Sequence, residues 1–293
     1  MAEFPIKKEI VYTFWAVKNS TGVYPFGKTG TISAGALSMM AQARGIQTFA
    51  LAQSPPAQKT LLADGKPFHS YRPQPTEPVT AEVGAIVLDQ DLRLNSLGLT
   101  AHTEGQHSVI LMTNSCLDYA KLCLVQVYRA DIYDDSTGVV TTGKWWIEEY
   151  LDVDVFSQLA GGSGDPTADP EPWTYDILFR EPSTTLHGET LTTADYGAAK
   201  GFGRMYSSDY PVIYGAIVGD NSTTAYTIPS GFDPVGNAAT YIQMWDDGIE
   251  QAYGTSAGEF ELDSSNNQQI NFATAPETDS IHIFKLEFNG SGC

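Results

Sequence analysis

Basic residues are scarce in this chain. Sixteen Lys and Arg stand against 35 Asp and Glu, a formal net charge of −19 over 293 residues. Gripping nucleic acid takes clustered Lys and Arg against phosphate, so the balance argues against that class of function. It favours solubility at high concentration and repels DNA passing nearby. Cysteine is sparser still: Cys116, Cys123 and Cys293 are an odd set with no CxxC, which is not a disulfide framework. Cys116 and Cys123 lie in the apolar "CLDYAKLCLVQV" and read as small buried hydrophobes. Long apolar runs are missing too, since nothing approaches the ~20 uninterrupted residues that span a bilayer. The opening "MAEFPIKKEIVYTFWAVK" carries Lys7 and Lys8 but no apolar core with a cleavage site behind it. A secretory leader is therefore not expected, and folding in a cytoplasm is.

Helical periodicity is equally rare. Short runs rich in Val, Ile, Tyr, Phe, Trp and Thr alternate at period two between Gly, Pro, Asn and Asp: "EIVYTFWAVK", "GIQTFALAQ", "GAIVLDQDLRL", "LCLVQVYRADIY", "KWWIEEYLDVDVF" and "PWTYDILFRE". The fold class expected is all-β, β-dominated with one short helix, for which "SAGALSMMAQARG" is the candidate. In "YLDVDVF", alternation puts Asp152 and Asp154 on one face and Leu151, Val153 and Val155 on the other, which predicts a half-buried strand. "AGGSGDPTADPEP", residues 160–172, reads as an exposed loop. "GFGRMYSSDYP", 201–211, is the candidate junction between a β domain at 1–208 and a C-terminal β-sandwich module at 209–293.

Beyond residue 210 the pattern is cleaner. "TYIQMWDDGIEQAY" predicts a hairpin turning at Asp247-Gly248. "GEFELDSSNNQQINFATAP" predicts a second strand pair and "SIHIFKLEF" a last strand. This segment holds eleven acids and one lysine, Lys285. A small antiparallel sandwich with a very acidic surface is expected.

Catalytic motifs are mostly missing. The exception is "GVYPFGKTGT", where Gly22, Gly27, Lys28 and Thr29 match the P-loop pattern, with Asp89 of "GAIVLDQD" as a stand-in for a metal-binding aspartate. A working P-loop joins a parallel strand to a long helix so that backbone N–H groups cradle phosphate. Here Pro25 has no N–H to donate, Tyr24 and Phe26 put bulk where phosphate would nest, and Gly30 and Gly35 weaken any following helix. The match is read as accidental, so no cofactor is expected.

The histidines, His69, His102, His107, His187 and His282, form no HExxH, and His102 and His107 sit in a polar stretch, "AHTEGQHS". No metal site is expected from them, and no GxSxG elbow is present. Adjacent acids (Asp89 with Asp91, Asp134 with Asp135, Glu148 with Glu149, Asp152 with Asp154, Asp246 with Asp247) raise a glycosidase reading beside Trp145, Trp146 and Trp173. With 35 acids such pairs arise by chance, and no catalytic residue is assigned. "DIYDDSTG" and "GSGDPTADPEP" lack EF-hand spacing and read as plain turns.

One long stretch, "ARGIQTFALAQSPPAQKTLLADGKPFHSYRPQPTEPVTAEVGAIVLDQDL", runs as an aliphatic strand, a Pro-containing turn, "DG", an aromatic strand, a Pro-rich connection and a strand ending in acids. It resembles the N-terminal half of the major tail (tail tube) proteins of long-tailed bacteriophages. The strand with Trp145 and Trp146, and "PWTYDILFRE" after it, resemble later strands of that fold. The last 85 residues or so, with "YTIP", "DGIEQAY", "FELD" and "INFATAP", resemble β-sandwich modules appended to phage tube, fibre and capsid proteins. The resemblance implies a virion structural protein without catalysis. Its copies would form hexameric rings stacked into a tube, its partners being other copies and other tail proteins, with viral DNA passing untethered and no membrane insertion. It would be made in the host cytoplasm and located in the virion tail. The connection from Gln53 to Pro78, with Pro55, Pro56, Lys59, Asp64 and Pro67, is the candidate inter-subunit arm. The alternatives are a capsid decoration or tail-tip adhesion protein, and a carbohydrate-binding or carbohydrate-cleaving protein.

Overall fold

A computed structural model of the chain describes residues 3–18, 26–52, 59–63, 66–71, 80–85, 90–96, 101–110, 121–157, 173–180, 186, 203–263 and 268–290. In chain order the first elements are β1 (Glu3–Val17), β2 (Leu37–Met39), β3 (Ala41–Ala43), β4 (Ile46–Ala52), β5 (Lys59–Ala63), β6 (Lys66–Tyr71) and β7 (Thr80–Ala85). Then come a short helix α1 (Gln90–Ser96), β8 (Ala101–Glu104), β9 (His107–Ile110), β10 (Lys121–Asp134), β11 (Val139–Ser157) and β12 (Trp173–Phe179). The last are β13 (Gly203–Ser208), β14 (Val212–Val218), β15 (Ala225–Thr227), β16 (Ile242–Asp246), β17 (Ile249–Glu250), β18 (Phe260–Leu262), β19 (Gln269–Phe272) and β20 (Ile281–Glu287). The protein is all-β, with one short helix among the described residues.

The largest sheet runs β3-β1-β10-β11-β12-β7-β4, with β13 also on β11. Its two end strands, β3 and β4, are consecutive in the chain and joined only by Arg44 and Gly45, Gly45 at φ 73°. A two-residue corner linking opposite ends of one ladder requires the sheet to curl. Inside the curl lies a core that includes Trp15, Leu124, Tyr150, Val153, Tyr175 and Phe179. The opposite face of the same wall presents Tyr12, Phe14, Val125, Val127, Ile147 and Leu151 to a second core. Both faces of the wall are therefore covered, which explains why Tyr12 through Val17 are buried without alternation.

The second core is shared with the C-terminal half. Sheet β17-β16-β20-β14-β2 packs there, and a three-stranded sheet, β15-β19-β18, covers its far side. Register assigns the faces. Tyr214 lies opposite Lys285 and reaches Glu149 on β11, so those side chains point at the curled wall. Asp246 lies opposite His282, and Met244 opposite Phe284, on the other face, toward the three-stranded sheet. The order of layers is curled sheet, five-stranded sheet, three-stranded sheet. Residues on both sides of position 209 share one core, and β13, inside the 201–211 stretch, is a strand laddered on β11.

The segment expected to be helical, 33–45, instead forms β2 and β3. Its Ala, Leu and Met favour helix locally, but β14 offers a ladder to Leu37–Met39 and β1 offers one to Ala41–Ala43. Tertiary pairing outweighs a propensity worth only tenths of a kcal/mol per residue. Gly35 at φ 72° and Gly45 at φ 73° bound the stretch, and buried Met40 is the step from one sheet to the other. The turns were legible: Asp247 at φ 48° and Gly248 at φ 81° close the β16–β17 hairpin with both central residues left-handed.

Candidate functional site

β11 carries the densest chemistry. Its central residues Trp146 to Val155 are all buried, including Glu148, Glu149, Asp152 and Asp154. A half-buried strand was expected at 150–156. Both faces of the wall are covered, so neither face of this strand meets solvent; a bulge, with Leu122 paired to Val153 but Leu124 to Tyr150, also splits its apolar row. Leu151 then faces the second core while Val153 and Val155 face the curl.

Burying a carboxylate is tolerated only with compensating partners, and each of the four has one cation. Glu148 takes the Lys8 ammonium, with donors Tyr128 Oη at 3.0 Å, Trp146 Nε1 at 3.1 Å and Tyr150 Oη at 2.8 Å. Glu149, on the opposite face, lies directly across from Arg204 on β13 and pairs with it. Its Oε1 accepts from Tyr206 at 2.7 Å and Tyr214 at 2.6 Å, and Arg204 also donates to the Tyr214 hydroxyl at 3.1 Å. Asp152 meets Lys18 at 3.1 Å, and Asp154 meets Arg180. Burial, with the Glu149 charge next, pushes the Tyr206 and Tyr214 hydroxyls well above the usual phenol range. Burial likewise raises Tyr128 and Tyr150, helped by Glu148. Burial alone would lower Arg204, but Glu149, then Tyr214, raise it on balance. These tyrosines are permanent donors and Arg204 a permanent cation. Glu148 and Glu149 point to opposite sides of a wall, so they do not flank one substrate bond. One strand thus occupies four of the chain's sixteen basic side chains. The sequence signal was present, though unread: four acids inside "WWIEEYLDVDV" on a strand apolar on both faces must each be paired.

The P-loop-like residues fall elsewhere. Gly22 and Asp89 lie outside the described residues. The Gly27 carbonyl accepts from Val17 N–H at 3.1 Å, and Thr29 Oγ1 donates to Thr31 O at 3.2 Å. Lys28 pairs with Asp91 of α1 in the open, and Asn95 Nδ2 donates to the Lys28 carbonyl at 3.0 Å. Bends and turns, with Gly30 at φ 68°, follow Lys28 where a P-loop requires a helix. In "DIYDDSTG", Asp134 closes its own turn, accepting from Ser136 Oγ at 2.6 Å, Ser136 N–H at 2.8 Å and Thr137 Oγ1 at 2.9 Å, which together hold its carboxyl below the usual range. Cys123 is buried against the Ala16 carbonyl, and burial pushes its thiol up to about 12. Cys116, Cys293, His187 and residues 158–172 lie outside the described residues. His102 is exposed on the β8–β9 hairpin, His282 is buried, and among the described residues no group of three His, Cys, Asp or Glu converges on a metal position.

Sheet edges are the other candidate. Of the proposed arm, Pro55, Pro56 and Asp64 lie outside the described residues; Lys59 and Pro67 sit in the β5–β6 hairpin, opposite Tyr71 and Leu62. Before Thr13, β1 has no ladder partner on its outer side among the described residues. That edge is interrupted by Pro5 and by two register shifts of β1 against β10. The outer side of β4 also has no ladder partner among the described residues, and "IQTFALA" has no charge and no proline. Ala50 and Leu51 are exposed there.

No protein-family model matches the chain, and a search of curated proteins finds no match. Among the described residues no helix is long and apolar enough to cross a membrane.

Proposed function

We propose that this chain is a structural subunit that joins copies of itself through sheet edges, building stacked rings of a tube of the kind formed by bacteriophage tail tube proteins. The observation that carries the reading is the contrast between the two open edges. β1 is equipped against pairing, while β4 is seven uncharged residues long with no outer ladder partner among the described residues. An edge of that kind templates another strand, and a second copy is the nearest source of one. Charge agrees: cations that would hold phosphate are used inside the wall, leaving an acidic surface that lets DNA pass. On this reading the protein belongs to the virion tail and performs no catalysis.

Negative-stain electron microscopy of the concentrated protein is the test. Tubes with a regular axial repeat are expected, and Gln47→Lys with Ala50→Lys, both exposed on β4, should leave the melting temperature unchanged while abolishing the tubes. Dispersed monomers of the unaltered protein at high concentration, or tubes that persist in the double variant, would overturn the assignment.

A further inference from the structure

Between the five-stranded and three-stranded sheets the core opens into a groove of about 470 Å³, within the range of small-ligand sites. Its floor is apolar, with Phe260, Phe272 and Pro276, and its polar wall includes Asp246, Glu277 and His282. Asp246 and His282 are a cross-strand pair on the core-facing side, and Ile249, opposite Asp246 on the neighbouring strand, extends the same row. Ile249 is 69% exposed, the most exposed large apolar side chain among the described residues.

Hydrogen bonding fixes the proton on His282. The Ser280 hydroxyl has one proton and donates it to the Glu277 carbonyl at 2.7 Å. It must then accept, at 3.2 Å, from His282 Nε2. Nδ1 is left as a bare acceptor, and it has no partner although the residue is 7% exposed. Burial keeps the ring neutral by lowering its pKa, against the opposing pull of Asp246 and Asp247. Gln251, the one amide in the wall, already donates to the Ile249 carbonyl. No Lys or Arg lines the groove.

We infer that this groove binds an alkyl-chained cation, a guanidinium or ammonium head on an aliphatic stem such as an arginine or lysine side chain presents. The two carboxylates and the free Nδ1 are all acceptors, which suits a head group made only of N–H donors. The stem lies along Phe272 and Ala275, apolar contact that a bare metal ion would not use. Anions are repelled by the carboxylates. The inference is independent of the tube assignment, since it rests on a groove remote from β4.

The test is NMR titration of the full chain with N-acetyl-arginine amide and N-acetyl-lysine amide, and with N-acetyl-citrulline amide as the neutral isostere of arginine. Both cations should move the Ala275 methyl and His282 Nδ1 signals, citrulline should move neither, and Asp246→Asn or Glu277→Gln should each weaken binding about tenfold. A peptide carrying one arginine that binds tighter than the free amide would identify a protein partner as the source; equal binding would identify a small amine. Glu277 is exposed, so its variant remains informative if Asp246→Asn fails to fold. Silence of both signals at millimolar cation, or equal binding of citrulline, overturns the inference.

Discussion

Replacing Glu149 by Gln keeps the shape of the side chain and removes only its charge. The carboxylate is fully buried and holds the curled wall to β13 and β14 through Arg204, Tyr206 and Tyr214. Hydrogen bonds to a charged group contribute about 1.5–3 kcal/mol each, against about 1 for neutral pairs, so demoting the two phenol bonds costs roughly 1–3 kcal/mol. The Arg204 side chain is 35% exposed, so solvent screening limits its share to about 1 kcal/mol. The amide nitrogen must also face a donor. The sum is about 3 kcal/mol, the low end of what breaking a buried pair costs. At roughly 2–4 °C per kcal/mol for a chain of this size, the melting temperature should fall by about 6–12 °C. Scanning calorimetry and urea unfolding at 25 °C read this directly. Arg204→Met should cost at least as much as Glu149→Gln, because it leaves the Glu149 carboxylate buried without its cation. A loss below about 1 kcal/mol for Glu149→Gln, or a clearly smaller loss for Arg204→Met, would refute the view of Glu149 as the hub.

Three other outcomes are expected. A Cβ added at Gly215 would lie 2.3 Å from the Phe284 ring and 2.9 Å from the Ser38 carbonyl, so Gly215→Ala should destabilise by about 1–3 kcal/mol in urea unfolding. His282 is held neutral, its folded pKa below the unfolded value; the unfolded chain therefore binds more protons, and stability should fall as pH drops below about 6.5, at no more than ~1.4 kcal/mol per pH unit, with a shallower fall in His282→Gln. Mg-ATP should give no rise in melting temperature, and a rise lost in Lys28→Ala would reinstate the P-loop.

Much of the strand inventory could be read from residues close together in the chain. β10, β11, β12, the Asp247-Gly248 hairpin and β20 follow from alternation and turn chemistry, which depend on neighbours two to four residues apart. Segment 33–45 could not, because both of its ladder partners lie elsewhere: β1 at Thr13–Trp15 and β14 at Gly215–Ile217. The groove was half legible. Asp246 and Asp247 were singled out as a pair, but only Asp246 lines it, and its companions Glu277 and His282 arrive from other loops and strands.

Composition and local pattern alone settle that the chain is β-rich, acidic and poor in cations for phosphate. Charge sums and side-chain alternation need no third dimension. Folding had to choose which cation neutralises which acid and which edge stays bare. Lys8 meets Glu148 across 140 positions and Tyr214 meets Glu149 across 65, distances over which the order of residues carries no local geometry. A core on each side of the wall then turned an apparent surface face into buried carboxylates, and the bulge opposite Leu122–Leu124 moved Leu151 to the other side from Val153 and Val155, because one inserted residue reverses the side-chain phase.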